Sequence, residues 1–395
     1  MIQHPATSPD RQASPVATAP TSTIQDPTSQ LQHPTSNIRH LTSKIQNPTS
    51  NHSAQRRNFL KKLGGAAGLT ILNPVRGFSG DHPHTDSFSF LHLADMHVRR
   101  KRQGHVGYEV CIADVNKRCA DADFVLMGGD LAFDGNYTAK DEFADQVALY
   151  KRASDQLKMP YYNSIGNHDV LGWSSRRKVA VDDPDLGKKL IMDMLSMKSS
   201  YYSFNHKGWH FVVLDSIHPV AAAHGTGYKG ALGEAQLEWL RFDLGKNAGM
   251  PTVIMTHIAA FCHLGQMNGD PKFNPFGHMV IEDTVAFRKI IERYNVKAVL
   301  QGHSHVPEDF YYNGIWYITS QSVSAAWWGG NWKGFMPGYT VLTTQGETLQ
   351  WERRSFEWQH QLEPEDTLER QKIAEREAFE KEQARLRAEE VNGRK

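Results

Sequence analysis

Five short polar motifs constrain this chain more than anything else in it, because each stands at the end of a short apolar run. Asp95-Met96-His97 follows residues 88–94 (FSFLHLA), and Gly128-Gly129-Asp130 closes the run that begins at Phe124. Gly166-Asn167-His168-Asp169 follows PYYNSI, His257 follows TVIMT, and Gly302-His303-Ser304-His305 follows VKAVLQ. Amphipathic stretches at roughly 108–120 and 138–157 separate the first three runs and predict helices. Strand, helix, strand at this spacing reads as βαβ units with a parallel sheet. Asp95 to Asp130 is 35 residues and Asp130 to Asn167 is 37, each a fair length for one crossover.

The later part of the chain adds a second pattern. YYSFNH and HFVVLDS are close enough to pair as a hairpin, a helix is predicted near 280–294, and IWYITS, GYTVLTT and TLQWERR read as meander strands. Both patterns within residues 85–358 predict one α/β domain of two packed mixed sheets flanked by helices.

Open α/β sheets bind ligands at the carboxyl edge of their strands, and a sharp turn there favours glycine. An Asp and a His separated by one residue on an extended segment project to one face, which is the expectation for Asp95 and His97. Asp95, Asp130 and Asn167 supply oxygens, and His97, His257, His303 and His305 supply imidazoles. That set is enough for two metal ions and too large for one, and its donors suit Fe, Mn or Zn. Alone, each motif has a plainer reading as a surface pair, a core histidine or a turn cap. Their order, each behind a strand, is what points to metal chemistry.

D-x-H, G-D, G-N-H-D, a lone H and G-H-x-H in this order resemble the calcineurin-like metallophosphoesterase superfamily across residues 88–345. The resemblance implies a four-layer fold, two sheets flanked by helices. It also implies one metal on Asp95, His97, Asp130 and His305 and a second on Asp130, Asn167, His257 and His303. His168 is implied to face the scissile phosphate and to protonate the leaving group, with a metal-bridging hydroxide as nucleophile. Phe133 stands where purple acid phosphatases have a tyrosinate, and Gly129-Asp130-Leu131-Ala132-Phe133-Asp134-Gly135 departs from protein Ser/Thr phosphatases. Residues 324–330 (SAAWWGG) are similar to bacterial cyclic-nucleotide phosphodiesterase-like members. The implied activity is hydrolysis of a small phosphate ester, a diester before a monoester. The alternatives are a scaffold that keeps the fold and a metal-binding module without turnover.

Other features have bland readings beside functional ones. Trp327, Trp328 and Trp332 suit either a base-stacking platform or a packed plug. His218, His224, His263 and His278 suit either the rim of a pocket, with 261–278 as a lid, or plain surface. Asp169 either orients His168 or closes its turn, and the turn is the preferred reading. Cys111 and Cys119 are two turns apart on one predicted helix, too far to bridge.

The ends are expected to lie outside the fold. Residues 1–53 have a disordered composition and contain, from Ile24, a repeated seven-residue unit with one apolar position and recurring proline, which also fits translated upstream DNA. Gln55-Arg56-Arg57-Asn58-Phe59-Leu60-Lys61-Lys62 and the mildly apolar stretch after it, within 54–80, resemble a twin-arginine signal. That resemblance implies handling by the twin-arginine export machinery and a periplasmic or extracellular location. Residues 362–395 read as a charged, solvated helix with i,i+4 pairs Asp366–Arg370 and Glu377–Lys381. A net charge of +1 argues against a nucleic-acid polymer as partner, and no run of eighteen apolar residues suggests a membrane span.

Overall fold

The computed structural model describes residues 87–223 and 225–367, and beyond them 370, 371, 374, 375, 378 and 385. The repeat, the twin-arginine stretch, His224, Glu377 and Lys381 therefore lie outside the described residues.

The first sheet is laid down by β1 (Ser89–Leu93), β2 (Phe124–Met127) and β3 (Tyr161–Asn163), with α1 (Gly104–Arg118) and α2 (Lys140–Ser154) as crossovers. β12 (Gly338–Gln345) and β13 (Thr348–Ser355) return to the other side of β1, so the order is β13-β12-β1-β2-β3. β1, β2 and β3 are parallel, and β12 runs antiparallel to β1. The second sheet contains β4 (Tyr202–His206), β5 (Trp209–Val213), β8 (Thr252–Met255), β9 (Val296–Gln301), β10 (Glu308–Tyr312) and β11 (Ile315–Thr319), in the order β10-β11-β9-β8-β5-β4. β6 (Ile217–Ala222) and β7 (Gly225–Gly230) form a separate two-stranded hairpin, which the sequence reading did not anticipate.

Strand alternation divides the core. Phe90 of β1 and Phe124 of β2 face inward and meet Phe211 of β5 edge-on, at centroid distances of 5.2 and 5.0 Å. This aromatic layer lies between the two sheets. Leu91, Leu93, Val125 and Met127 point the other way, into a cluster with Tyr108, Ile112 and Val115 of α1 and Phe143, Val147 and Tyr150 of α2. α2 begins with Asp141 and Glu142 and ends with Lys151 and Arg152, the charge order that suits a helix dipole. α3 (Lys189–Met194), α4 (Glu234–Lys246) and α5 (Thr284–Ile291) complete the larger helices, with Leu240, Leu244, Phe287 and Ile291 buried in the same cluster. The architecture is mixed α/β, with two large mixed sheets flanked by helices.

Boundaries shift modestly. The first two helices span 104–118 and 140–154 rather than 108–120 and 138–157, and the late helix spans 284–291 rather than 280–294. The larger difference is at Asp366, which was expected to pair with Arg370. Its carboxylate instead takes both Arg102 Nε and Nη2 at 2.8 Å. A buried guanidinium needs a two-pronged acceptor, and that need outweighs a solvent-exposed helical pair.

Candidate metal centre

Adjacent parallel strands release their C-terminal residues side by side. Asp95 N donates to Gly129 O at 3.0 Å and His97 N to Asp130 O at 2.8 Å, which ties the first two motifs together. The third motif is closed by Asp169, whose carboxylate accepts Leu131 N, Ala132 N and Gly166 N at 2.8–2.9 Å. Asp169 is thus a turn-closing residue, and a different carboxylate, Asp134 Oδ1, lies 3.9 Å from His168 Nδ1. Asp134 was missed because it entered the sequence reading only as a departure from another family's motif.

The backbone differs from the expected extended segment. Asp95, His97, Asp130, His303 and His305 have φ of 58°, 43°, 51°, 72° and 58°. Asp95 and His97 converge because the chain curls at the sheet edge, and strand alternation plays no part. Left-handed backbone at non-glycine residues costs about 1–3 kcal/mol each and is characteristic of functional sites. Two glycines permit the crowding. A Cβ on Gly166 would lie 2.1 Å from Asp130 N, and one on Gly129, itself at φ 88°, would lie 2.7 Å from His257 Nδ1.

All seven expected ligands meet here. Asp130 Oδ2 is 3.4 Å from His97 Nε2 and 3.2 Å from His257 Nε2, so one carboxylate touches both halves of the set. On one side His305 Nε2 is 3.5 Å from Asp95 Oδ1 and 3.1 Å from His97 Nε2. On the other, His257 Nε2 is 3.1 Å from Asn167 Oδ1, and the His257 and His303 rings are 5.1 Å apart. Asp95–His97–His305 and Asp130–His257–His303 each offer ligand atoms mutually within 4.8 Å, as does His97–Asp130–His168.

The donor chemistry fits cations. The Nδ1 atoms of His97, His257 and His305 face the carbonyls of Phe133, Gly128 and Ala325 at 3.3, 2.9 and 2.6 Å. An Nδ1–H donated to a carbonyl leaves Nε2 with a bare lone pair. The Nε2 atoms of His97 and His305 then face each other and the oxygens of Asp95 and Asp130, while backbone N–H groups of His303 and His168 donate to those two carboxylates. His303 Nδ1 is buried without a hydrogen-bond partner. Burial holds His303 and His305 at about 3 and 4, neutral as ligands must be. Burial raises Asp95 to about 7. Burial opposes ionisation of Asp130 too, but His257, His168 and His97 outweigh it and keep that carboxyl well below its usual range. Burial likewise opposes charge on His257, yet Asp130 lifts it to about 9, so positive charge is favoured between the two.

A model of the family described as calcineurin-like phosphoesterase matches residues 88–307, which take in all five motifs and more than half of the chain. The chain belongs to the calcineurin-like phosphoesterase family. This phosphoesterase is similar to a probable cyclic nucleotide phosphodiesterase of Xenorhabdus bovienii (strain SS-2004), 21% identical over 270 residues, or 64% of this chain and 94% of that protein. Solved structures with partial similarity include GAP50, the anchor in the inner membrane complex of Plasmodium, at 13% identity and TM-score 0.40, covering 70% of this chain and 91% of that one. TT1561 of Thermus thermophilus is 10% identical with TM-score 0.38, covering 68% and 99%.

Around this phosphoesterase centre the tryptophans divide. Trp328 is fully buried and donates Nε1 to Met96 O and His97 O at 3.0 and 3.1 Å, a plug beneath the first motif. Trp332 donates to Ser304 O at 3.1 Å. Trp327 is half-buried, with its ring 4.5 Å from His305 and 5.8 Å from His97, and is the indole placed at the rim. His263 is held by Glu308 at 2.8 Å, and His278 is exposed. Sequence reasoning also missed Tyr228 of β7, whose hydroxyl approaches the Asn167 side chain.

Proposed function

We propose that this phosphoesterase hydrolyses small phosphodiesters with two metal ions. Asp95, His97, Asp130 and His305 would hold one, and Asp130, Asn167, His257 and His303 the other. The observation that carries this reading is the Asp130 carboxylate, within 3.4 Å of imidazole nitrogens from both ligand sets. When bound, such a pair of cations supplies hydroxide near neutral pH and offsets the charge of the phosphoryl group.

The protein's own groups divide the remaining work. Neutral His303 and His305 and ionised Asp130 fix the centre before substrate arrives, which removes reorganisation from the reacting step. His168 stands at the open side, its side chain 25% exposed and its ring 4.7 Å from His97, edge-on. Its backbone N–H is tied to Asp130 Oδ1 at 2.8 Å, so the proton donor and the shared carboxylate keep a fixed separation. Its imidazole protonates the departing alkoxide, and Asp134 beside Nδ1 stabilises the charged ring.

Diester before monoester is supported by the name of the Xenorhabdus relative, since a cyclic nucleotide is a phosphodiester. Handling by the twin-arginine export machinery, with a periplasmic or extracellular location, is supported by residues 55–62. A nucleotide-like or glycerophosphodiester-like ester outside the cytoplasm then suits the protein better than cytoplasmic cyclic AMP. The test is hydrolysis of a bis-aryl phosphate diester beside its monoester, using chelated protein reloaded with manganese. Diester turnover above monoester turnover is expected. Monoester preference overturns the substrate class, and no turnover with two metals bound overturns the enzymatic reading. Retention of the protein in the cytoplasmic fraction contradicts export.

A further inference from the structure

Among the described residues, the aromatic side chains beside the metal centre serve two purposes. Trp328 belongs to the main core cluster, whereas Phe133 and Trp327 pack against neither core cluster. Both adjoin the fully buried ring of His97, Trp327 at 5.8 Å and Phe133 at 6.2 Å, beside His168 at 4.7 Å. Phe133, Trp327 and His168 are all partly exposed, which makes them the solvent-facing rim of the centre.

One buried arginine fixes both rim residues. The Arg99 guanidinium stacks over the Phe133 ring at 3.9 Å, and its Nη2 donates to Trp327 O at 3.0 Å. Phe133 O faces His97 Nδ1 at 3.3 Å, and Ala325 O, two residues before Trp327, faces His305 Nδ1 at 2.6 Å. Trp332 meets the Trp327 ring edge-on at 5.1 Å and backs it from another side. The backbone is strained in the process, since Ala325, Trp327 and Trp328 have φ of 46°, 51° and 68°. Left-handed backbone at non-glycine residues is costly and gathers at ligand clamps and active sites. A place in the core accounts for Trp328 and not for Trp327.

We propose that Trp327 and Phe133 are the aromatic platform of the centre, stacking a planar aromatic substituent of the phosphate ester whose phosphoryl group meets the ligand cluster. The inference rests on the phosphoesterase reading and narrows the substrate class to esters that carry a nucleobase or another aryl ring. Every base presents a π-face, so such a platform selects for a flat ring and not for one base. Arg99 is then a positioning residue that acts through both platform residues.

The test uses manganese-loaded protein and calorimetric binding of methylphosphonate, phenylphosphonate and an adenine nucleoside phosphonate, whose P–C bonds resist hydrolysis. Wild type should bind at least one aromatic phosphonate roughly tenfold more tightly than methylphosphonate. A gain with the nucleoside alone assigns a nucleotide-type ester, and a gain with the phenyl compound as well assigns aryl esters in general. Trp327→Ala should erase the gain with bound metal and methylphosphonate affinity unchanged, and Trp327→Phe should keep most of it. Phe133→Leu removes the other ring, should reduce the gain, and decides the matter if Trp327→Ala does not fold. Equal affinity of wild type for all the phosphonates, or no binding of any, overturns the proposal. A gain that survives both ring deletions overturns it too, as does loss of bound metal in Trp327→Ala, because the indole would then merely support His305. A gain that depends on Trp327 without diester turnover upholds the platform and defeats the hydrolase reading, and turnover without the gain does the reverse.

Discussion

His97 and His305 point their Nε2 atoms at each other across 3.1 Å, while both Nδ1 atoms face backbone carbonyls. Two imidazole lone pairs at that distance repel unless something positive lies between them. Asp95 and Asp130 are within 3.5 Å of the same nitrogens and add acceptors to the site. The fold therefore holds together a group of atoms that could hold cations.

Metal removal should accordingly destabilise the protein. Saturating manganese at about a hundred times its Kd adds about 2.7 kcal/mol, or roughly 5–10 °C in Tm. Calorimetry before and after chelation measures this. An identical Tm in the two states would contradict the metal-centre reading.

His168→Ala should lower kcat by about 10²–10⁴-fold for esters with alkyl leaving groups while leaving metal content unchanged. A nitrophenolate leaves without a proton, so the loss on an activated aryl ester should be much smaller. Equal losses on both substrates would place His168 in binding and not in proton transfer.

Gly166→Ala puts a methyl group 2.2 Å from Asp130 Oδ1, where no flexible side chain can yield without moving the shared carboxylate. Overpacking of this kind costs about 1–3 kcal/mol. The variant should fold with a lower Tm and bind less metal, which thermal denaturation and elemental analysis would read together. Wild-type metal content would show that the turn has slack.

Arg102 and Asp366 predict a pH dependence of stability of their own. Arg102 is the largest influence holding the Asp366 carboxyl at about 2, against 3.8 unperturbed. A depressed carboxyl contributes stability above its unfolded pKa and loses it as pH falls through the folded value. Wild type should therefore exceed Asp366→Asn by about 2 kcal/mol above pH 4. The gap should close between pH 4 and pH 2. Denaturant unfolding across that range checks the sign, and a gap that widens on acidification would refute it.

How much of this was legible in the sequence follows from where the information sits. The strands and the order of the polar motifs were readable because interior parallel strands such as Phe124–Met127 are apolar throughout and the motifs follow directly. Left-handed φ at Asp95 and His305 was not, since spacing carries no record of backbone curl at a sheet edge. Tyr228 was hidden in a hairpin whose residues, with Pro219, Gly225 and Gly227 among them, show no strand alternation. Asp366 finds Arg102 at a separation of 264 residues, and only the tertiary fold sets that partnership. Of the three tryptophans, sequence could not tell the plug, Trp328, from the rim residue, Trp327.

The most direct test of a centre joined through Asp130 is to titrate chelated protein with manganese while counting bound ions and following diester hydrolysis. Activity should remain low at one equivalent and saturate at two, and Asp130→Asn should bind fewer than two ions and lose activity at any loading. Full activity at one equivalent, or in the chelated protein, would contradict the account.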